Sequence, residues 1–266
     1  MMIKKNLSTT KKICSIIIFI YIIIAIMSNL IMPFSINDFS GEVLQAPSFE
    51  HILGTDEMGH DLFSLLINGF KMSILISIIS GIFSTSIGVI LSFVSCYYKG
   101  KIDTAICHIA NFFIIIPEII IIMFFAIFAS PTMINTILAI IFFSWSKVFK
   151  MVRSKLMGYM DKNKVKYTFL IKGNIFDIFK KLYYDMYPVV ITSFILQCNK
   201  AVMYETTLSF FGIGDPLSKT WGKLIKSAMN YENLFYDNVI FWYLLPPVIC
   251  VFIYILSLSL LIFDDK

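Results

Sequence analysis

Two polar, glycine-punctuated stretches interrupt a chain that is otherwise mostly apolar: Glu205–Trp221, ETTLSFFGIGDPLSKTW, and His51–Phe63, HILGTDEMGHDLF. Outward from them in both directions the sequence turns hydrophobic for about a membrane's thickness at a time. Of the 266 residues, 58% are hydrophobic and only 15% charged, and the mean hydropathy is +0.81. So little polar surface cannot cover a soluble globule of this length. The chain is read as a polytopic membrane protein, and the two polar stretches as its loops.

A helix crosses the hydrocarbon core with about 20 apolar residues. Six stretches come near that length, at residues 13–32, 72–98, 104–129, 134–149, 188–204 and 239–263. The first follows Lys4, Lys5, Lys11 and Lys12, but its apolar run is too long for a signal peptide and no small-residue cleavage site follows, so it reads as a retained helix. Residues 1–12 are then a cytoplasmic N-terminus, 33–71 an extracytoplasmic loop, and 72–263 the main transmembrane domain. Nine Lys and Arg residues between Lys150 and Lys181 face only Asp161, Asp177 and Asp185, which places the 150–187 loop inside. From Pro33 to Phe70 there is no Lys or Arg but six acidic residues, which places that loop outside, as for 205–238. Six spans with both termini cytoplasmic satisfy these loops. The fold class expected is an all-α membrane bundle with no sheet in the bilayer, because backbone groups in lipid must be satisfied within each helix. Ser77, Ser80, Gly81, Ser84, Ser86 and Gly88 on the second span provide small side chains for close helix approach.

Charge and cysteine content exclude several functions. The net charge of +5 follows membrane topology and does not form a nucleic-acid footprint. The five cysteines, Cys14, Cys96, Cys107, Cys198 and Cys250, lie scattered in apolar runs and read as small buried hydrophobes. No G-x-x-x-x-G-K-[ST] occurs, so no nucleotide site is encoded, and no nucleophile has a base partner. His108, within the third span, reads as a core or interface residue. His51 and His60 with Asp56, Glu57 and Asp61 lack regular metal-ligand spacing and are read as part of a turn in which Gly54 and Gly59 supply positive φ and Thr55 and Asp56 cap the following helix.

Ionisable residues within spans are costly and call for partners or a wet interior. Three stand out: Glu118, directly after Pro117, and Lys200 and Glu205 at the end of the fifth span. They are read as lining a path or a subunit interface. Pro117 removes a helix hydrogen bond and can open a polar niche beside Glu118.

The two stretches resemble the signature regions of the permease subunits of dipeptide, oligopeptide and nickel ABC importers. One signature reads H-x-L-G-T-D-x-x-G-R-D, matched here by His51, Leu53, Gly54, Thr55, Asp56, Gly59 and Asp61, with His60 in place of Arg. The other reads E-x-x-L-S-F-L-G-L-G followed by S-W-G, matched by Glu205, Leu208, Ser209, Phe210, Gly212, Gly214, Trp221 and Gly222. Trp145, Val152 and Arg153 match part of W-P-x-Y-A-R-L-V-R, and Gly173 aligns with the glycine of E-A-A-x-x-x-G, whose Glu, Ala and Ala positions hold Tyr167, Thr168 and Phe169. Val165, Phe169, Ile171, Phe176 and Phe179 can still form an apolar stripe among lysines there. The resemblance covers about residues 50–225 and implies a type I importer permease that is not an enzyme and binds no cofactor. It further implies a coupling helix at Tyr167–Gly173, a heterodimer with a second permease, two ATPase subunits carrying ATP and Mg, a binding protein outside, and a longer C-terminal tail than Asp264-Asp265-Lys266. Peptides, nickel chelates and related small solutes are all cargoes consistent with such signatures. A secondary transporter, a non-transporting scaffold or sensor, and an exporter component stand as alternatives.

The topology has a direct test. A cysteine at Lys164 in a cysteine-free chain should react with impermeant thiol reagents only after the membrane is opened, whereas one at Asn37 should react in intact cells; the reverse pattern would overturn the orientation.

Overall fold

The computed structural model describes residues 9–171, 173–235 and 238–262, and the side chain of Phe169 lies outside that description. Its helices are α1 (Thr9–Ile31), α2 (Leu62–Tyr98), α3 (Gly100–Ile115), α4 (Glu118–Phe128), α5 (Met133–Met160), α6 (Asn163–Leu170), α7 (Ile175–Phe210), α8 (Trp221–Asn230) and α9 (Leu245–Ile262). The sole extended pairing among the described residues is an isolated bridge between Thr55 and Asp61, in the loop before α2. By length and composition four helices can cross a membrane, or five when the bent pair α3–α4 is counted as one.

Helix α2 is the centre of the bundle. Half of its apolar window is buried, against 17% for α1, and it packs against α5 and α7 along most of its length. The seam is made of small residues: Ser77, Ser80 and Ser84 are fully buried, Gly81 faces the Cys198 thiol, and Gly88 faces Val148 and the backbone of Phe149. Ser86, expected in the same stripe, is exposed. It lies nine residues from Ser77, and at 3.6 residues per turn that is the opposite side of the helix. The seam also carries hydrogen bonds. Ser77 Oγ donates to the Cys198 carbonyl at 3.0 Å and meets Tyr254 Oη at 2.9 Å, and Ser92 Oγ donates to the Phe149 carbonyl at 2.9 Å.

The rest is arranged around this seam. Tyr21 of α1, Phe70 of α2, Trp221 of α8 and Tyr254 of α9 form one aromatic cluster, with Phe70 and Trp221 edge to face at 4.9 Å. At the other end, Arg153 of α5 makes a bidentate pair with Asp103 of α3 at 2.8 and 2.6 Å, and Ser95 of α2 donates to the same carboxylate. Bidentate guanidinium pairing fixes orientation as well as contact, so three helices are pinned where they meet.

Two expected spans differ from single straight helices. Residues 104–129 are broken at Ile116–Pro117, where both residues are extended, and the two halves meet at 83°. Proline has no N–H to continue the helix and drives the preceding residue out of the helical region. The expected start of the fifth span at Pro188 is instead a point inside α7, which runs unbroken for 36 residues. Pro188 lies on the exposed side of α7, and its carbonyl accepts from Thr192 Oγ1 at 2.9 Å. His108, read as core or interface, sits on the exposed face of α3.

A Cβ at Gly88 would stand 2.6 Å from Val148 Cβ and 2.9 Å from the Phe149 amide nitrogen. Neither is the end of a flexible side chain, so Gly88→Ala should part α2 from α5 and destabilise the protein by about 1–3 kcal/mol. Thermal unfolding in detergent measures this, and Ser86→Ala, on the opposite face, should leave the midpoint unchanged.

Candidate functional site

The first polar stretch folds into a compact loop whose residues hold one another. Gly54 and Gly59 have φ of +73° and +83°, and a Cβ at either would strike a backbone carbonyl, that of Gln45 or of Gly41. Asp61 is the N-cap of α2: its carboxylate accepts from the amide and the hydroxyl of Ser64, both at 2.7 Å, and pairs with His51 Nδ1 at 3.0 Å. Asp56 accepts from the amides of Met58 and His60 at 2.8 and 2.9 Å and pairs with His60 Nδ1 at 3.0 Å. Thr55 Oγ1 donates to the Glu42 carbonyl and accepts from the Gln45 amide at 2.8 Å. The capping expected of Thr55 and Asp56 belongs to Asp61, five residues beyond Asp56, because α2 begins at Leu62. Each histidine has its own aspartate, and the arrangement is a stapled turn over the start of α2.

The second stretch ends α7 and starts α8. Gly212 has φ of +77° and its amide donates to the Ser209 carbonyl, while the Ile213 amide donates to the Leu208 carbonyl at 2.9 Å. That pair of bonds is a Schellman motif, and Leu208 and Ile213 share an apolar cluster, as such motifs commonly do. Gly214 and Gly222 let the chain return against α7, for a Cβ at Gly214 would meet Ser209 Oγ at 2.6 Å and one at Gly222 the Thr206 carbonyl at 2.6 Å. The return seats Trp221, which is fully buried. It also closes a hydroxyl network: Glu205 accepts from Ser209 Oγ at 2.8 Å and Ser73 Oγ at 3.3 Å, and Ser209 accepts from Thr220, the N-cap of α8. Beside it, a cavity of about 180 Å³ is lined by Ser209, Asp215, Lys223 and Lys226. Burial, then the neighbouring Lys219, pushes the Lys223 ammonium below the ordinary lysine range.

Glu118 is a buried carboxylate with partners from two other helices. Its side chain is 1% exposed, and around it stand Lys147 of α5 at 3.1 Å, Lys200 of α7 at 3.3 Å and the Tyr204 hydroxyl of α7 at 2.6 Å. The 83° bend at Pro117 delivers the carboxylate, because it turns the first residue of α4 toward α5 and α7. Lys200 therefore pairs with Glu118 and not with Glu205. Five residues apart on a helix, Lys200 and Glu205 point in different directions. Lys147 and Tyr204 are the members that the sequence reading missed. The signal for Lys147 was its place after Ser144-Trp145-Ser146 in an apolar run, obscured by its closeness to the basic Lys150 and Arg153.

Of the four expected coupling positions, Tyr167 is exposed, Thr168 is fully buried, and the Phe169 side chain lies outside the described residues. Thr168 Oγ1 donates to the Lys164 carbonyl and accepts from Lys181 Nζ at 2.6 Å, which tethers α6 to α7. The Gly173 amide donates to the Thr168 carbonyl at 2.9 Å, and a Cβ there would meet Thr168 Cγ2 at 2.5 Å. Asn174 and Asp177 then cap α7 reciprocally. The expected single apolar stripe is divided, because α6 ends at Leu170: Val165 is buried against Leu156, Ile178 and Leu182, while Leu170, Ile171 and Phe176 are exposed.

The putative peptide permease protein of Brucella suis is 24% identical over 200 residues, 74% of this chain and 66% of the relative, so the chain spans just under two thirds of that protein. The di/tripeptide transport system permease protein DppC of Pseudomonas aeruginosa is 24% identical over 82% of this chain and 71% of its own length. The glutathione transport system permease protein GsiD of Pectobacterium atrosepticum is 23% identical over 92% of this chain and 81% of its own length. The family model described as the binding-protein-dependent transport system inner membrane component matches residues 84–263, from the middle of α2 through α9. With its several apolar helices, the chain belongs to that family and is a multi-pass protein of the inner membrane.

Proposed function

We propose that this chain is the permease subunit of an ATP-driven importer that moves peptides or a related small solute. The observation that carries the reading is the family match over residues 84–263, joined to relatives whose names are peptide, di/tripeptide and glutathione permeases. The partners in this reading are a second permease, ATPase subunits that carry ATP and Mg, and a substrate-binding protein outside. Six spans follow if α1, α2, the α3–α4 pair, α5, α7 and α9 each cross, with both termini in the cytoplasm. Helix α7 fails on apolarity alone, and its two deep charges are compensated: Lys200 by Glu118, and Glu205 by the hydroxyls of Ser73 and Ser209, the latter in turn bonded by Thr220. Compensation of this kind is what lets a charged helix stay in the membrane.

Coupling to the ATPase is assigned to α6 and the start of α7. Leu170, Ile171 and Phe176 are 81%, 57% and 80% exposed on the lysine-rich side, beside an apolar groove between α2 and α7 lined by Val89, Phe93, Ile175 and Phe179. Apolar side chains presented there by a tethered helix suit burial against a partner. Leu170→Asp should weaken association with the ATPase subunit by about 2 kcal/mol, roughly 30-fold, and uncouple hydrolysis from transport. Co-purification and transport-linked ATP hydrolysis measure both effects, and unchanged values would mark α6 as a lipid-surface helix.

The path is assigned to the face that carries Glu118, Lys147 and Lys200. Glu118→Gln keeps the hydrogen bond to Tyr204 and should insert normally while lowering transport. Glu118→Leu leaves two ammonium groups uncompensated and should lower stability by about 3 kcal/mol in thermal unfolding. A leucine variant that assembles and transports like the parent would remove Glu118 from the path.

A further inference from the structure

The Glu118 cluster holds more positive than negative charge. Lys147 and Lys200 converge on the same carboxylate, and among the described residues neither has a second carboxylate within ion-pair distance. Tyr204 adds a hydroxyl and no charge. The carboxylate is buried, but the side chain of Lys147 is 45% exposed and that of Lys200 26% exposed, so the surplus charge is on the open side of the cluster.

Its depth makes the surplus informative. In the six-span reading Lys200 stands ten residues from the Phe210 end of α7, about 15 Å of helix, which is half of a ~30 Å hydrocarbon core, and Glu118 and Lys147 meet it there. An ammonium half-exposed at that depth requires water and a counter-anion. The surrounding surface is also ill-suited to lipid. Lys147 is followed on the same exposed face of α5 by Lys150, Met151 and Ser154, at the three- and four-residue spacing of one helix side.

We infer that Lys147 and Lys200 form an anion-accepting site suited to the carboxylate of a solute in transit, which rests on reading this face as part of the path. A bound carboxylate brings the cluster from a net charge of plus one to zero, so its entry relieves a charge that the protein leaves uncompensated. Glu118 then has a second role. By competing for both ammonium groups it keeps the incoming anion from being held too tightly, and conduction needs a site that releases as well as binds. Lysine suits the task, since its ammonium is a point charge on a flexible stem that can turn from one carboxylate to another.

The test uses charged thiol reagents on the assembled transporter purified in detergent, where no membrane potential acts. Met151→Cys and Met203→Cys place a thiol one turn from Lys147 and Lys200, at side chains 38% and 48% exposed in the parent. Each rate is divided by that with free mercaptoethanol, after subtraction of the parent's own cysteine reactivity. The negatively charged sulfonatoethyl thiosulfonate should react about tenfold faster than its trimethylammonium counterpart, the lower end of electrostatic focusing in a charged cleft. Lys147→Gln with Lys200→Gln should abolish the preference and Lys147→Arg should keep it. The single variant Lys147→Gln, altered at the more exposed lysine, provides the same comparison if the double variant does not assemble. Reaction with neither reagent would overturn the path reading itself. Reaction with both at equal normalised rates, or a preference that survives loss of the lysines, would leave the path in place and overturn the anion site.

Discussion

Close approach along the small-residue seam of α2 is the constraint from which the rest of the bundle follows. In lipid the hydrophobic effect does not draw one helix to another, so contact must come from van der Waals packing and from hydrogen bonds that small residues allow. Gly81 and Gly88 bring α7 and α5 to within backbone contact, and Ser77 and Ser92 then reach carbonyls across the gap. With α5 and α7 held this near to a common axis, their facing sides meet, and Lys147 and Lys200 come to share one carboxylate.

The break at Pro117 supplies that carboxylate. A straight helix over 104–129 would carry Glu118 along its own axis. The 83° bend makes Glu118 instead the first residue of a new helix, turned into the space between α5 and α7. Three elements distant in sequence thus meet at one group, and the buried carboxylate would be unfavourable without the charges and hydroxyl that the others contribute. Glu205, only five residues beyond Lys200, is handled differently: hydroxyl groups surround it, and the loop that closes over it is held by glycines and a helix cap. Neighbouring charges on one helix therefore serve different parts of the molecule.

The signature loops were legible as turns and caps because their chemistry is local. Gly54 and Gly59 adopt the positive φ that glycine allows, whereas the cap of α2 is Asp61 and not Thr55 or Asp56 because the helix begins later, at Leu62. Glu118, Lys200 and Glu205 were legible as singular because any charge stands out in an apolar run. Their partners were not. Nothing in a linear reading tells which face of α5 meets which face of α7, so neither the pairing of Lys200 with Glu118 nor the place of Lys147 beside it can be read from the chain. Ser86 lies off the buried stripe and Pro188 lies inside α7, since the phase of a helix and the length over which it continues are set by packing and not by the linear pattern.

By itself the sequence determined that this is a multi-pass α-helical membrane protein with permease signatures, because hydropathy, charge asymmetry between loops and turn chemistry are properties of short segments that no packing can change. The tertiary structure decided which charges neutralise one another, that one expected span is sharply bent, and that two partly exposed ammonium groups share one buried carboxylate. Those outcomes depend on distances between residues 29 and 82 positions apart in the chain, and such distances exist only once the α2 seam has closed.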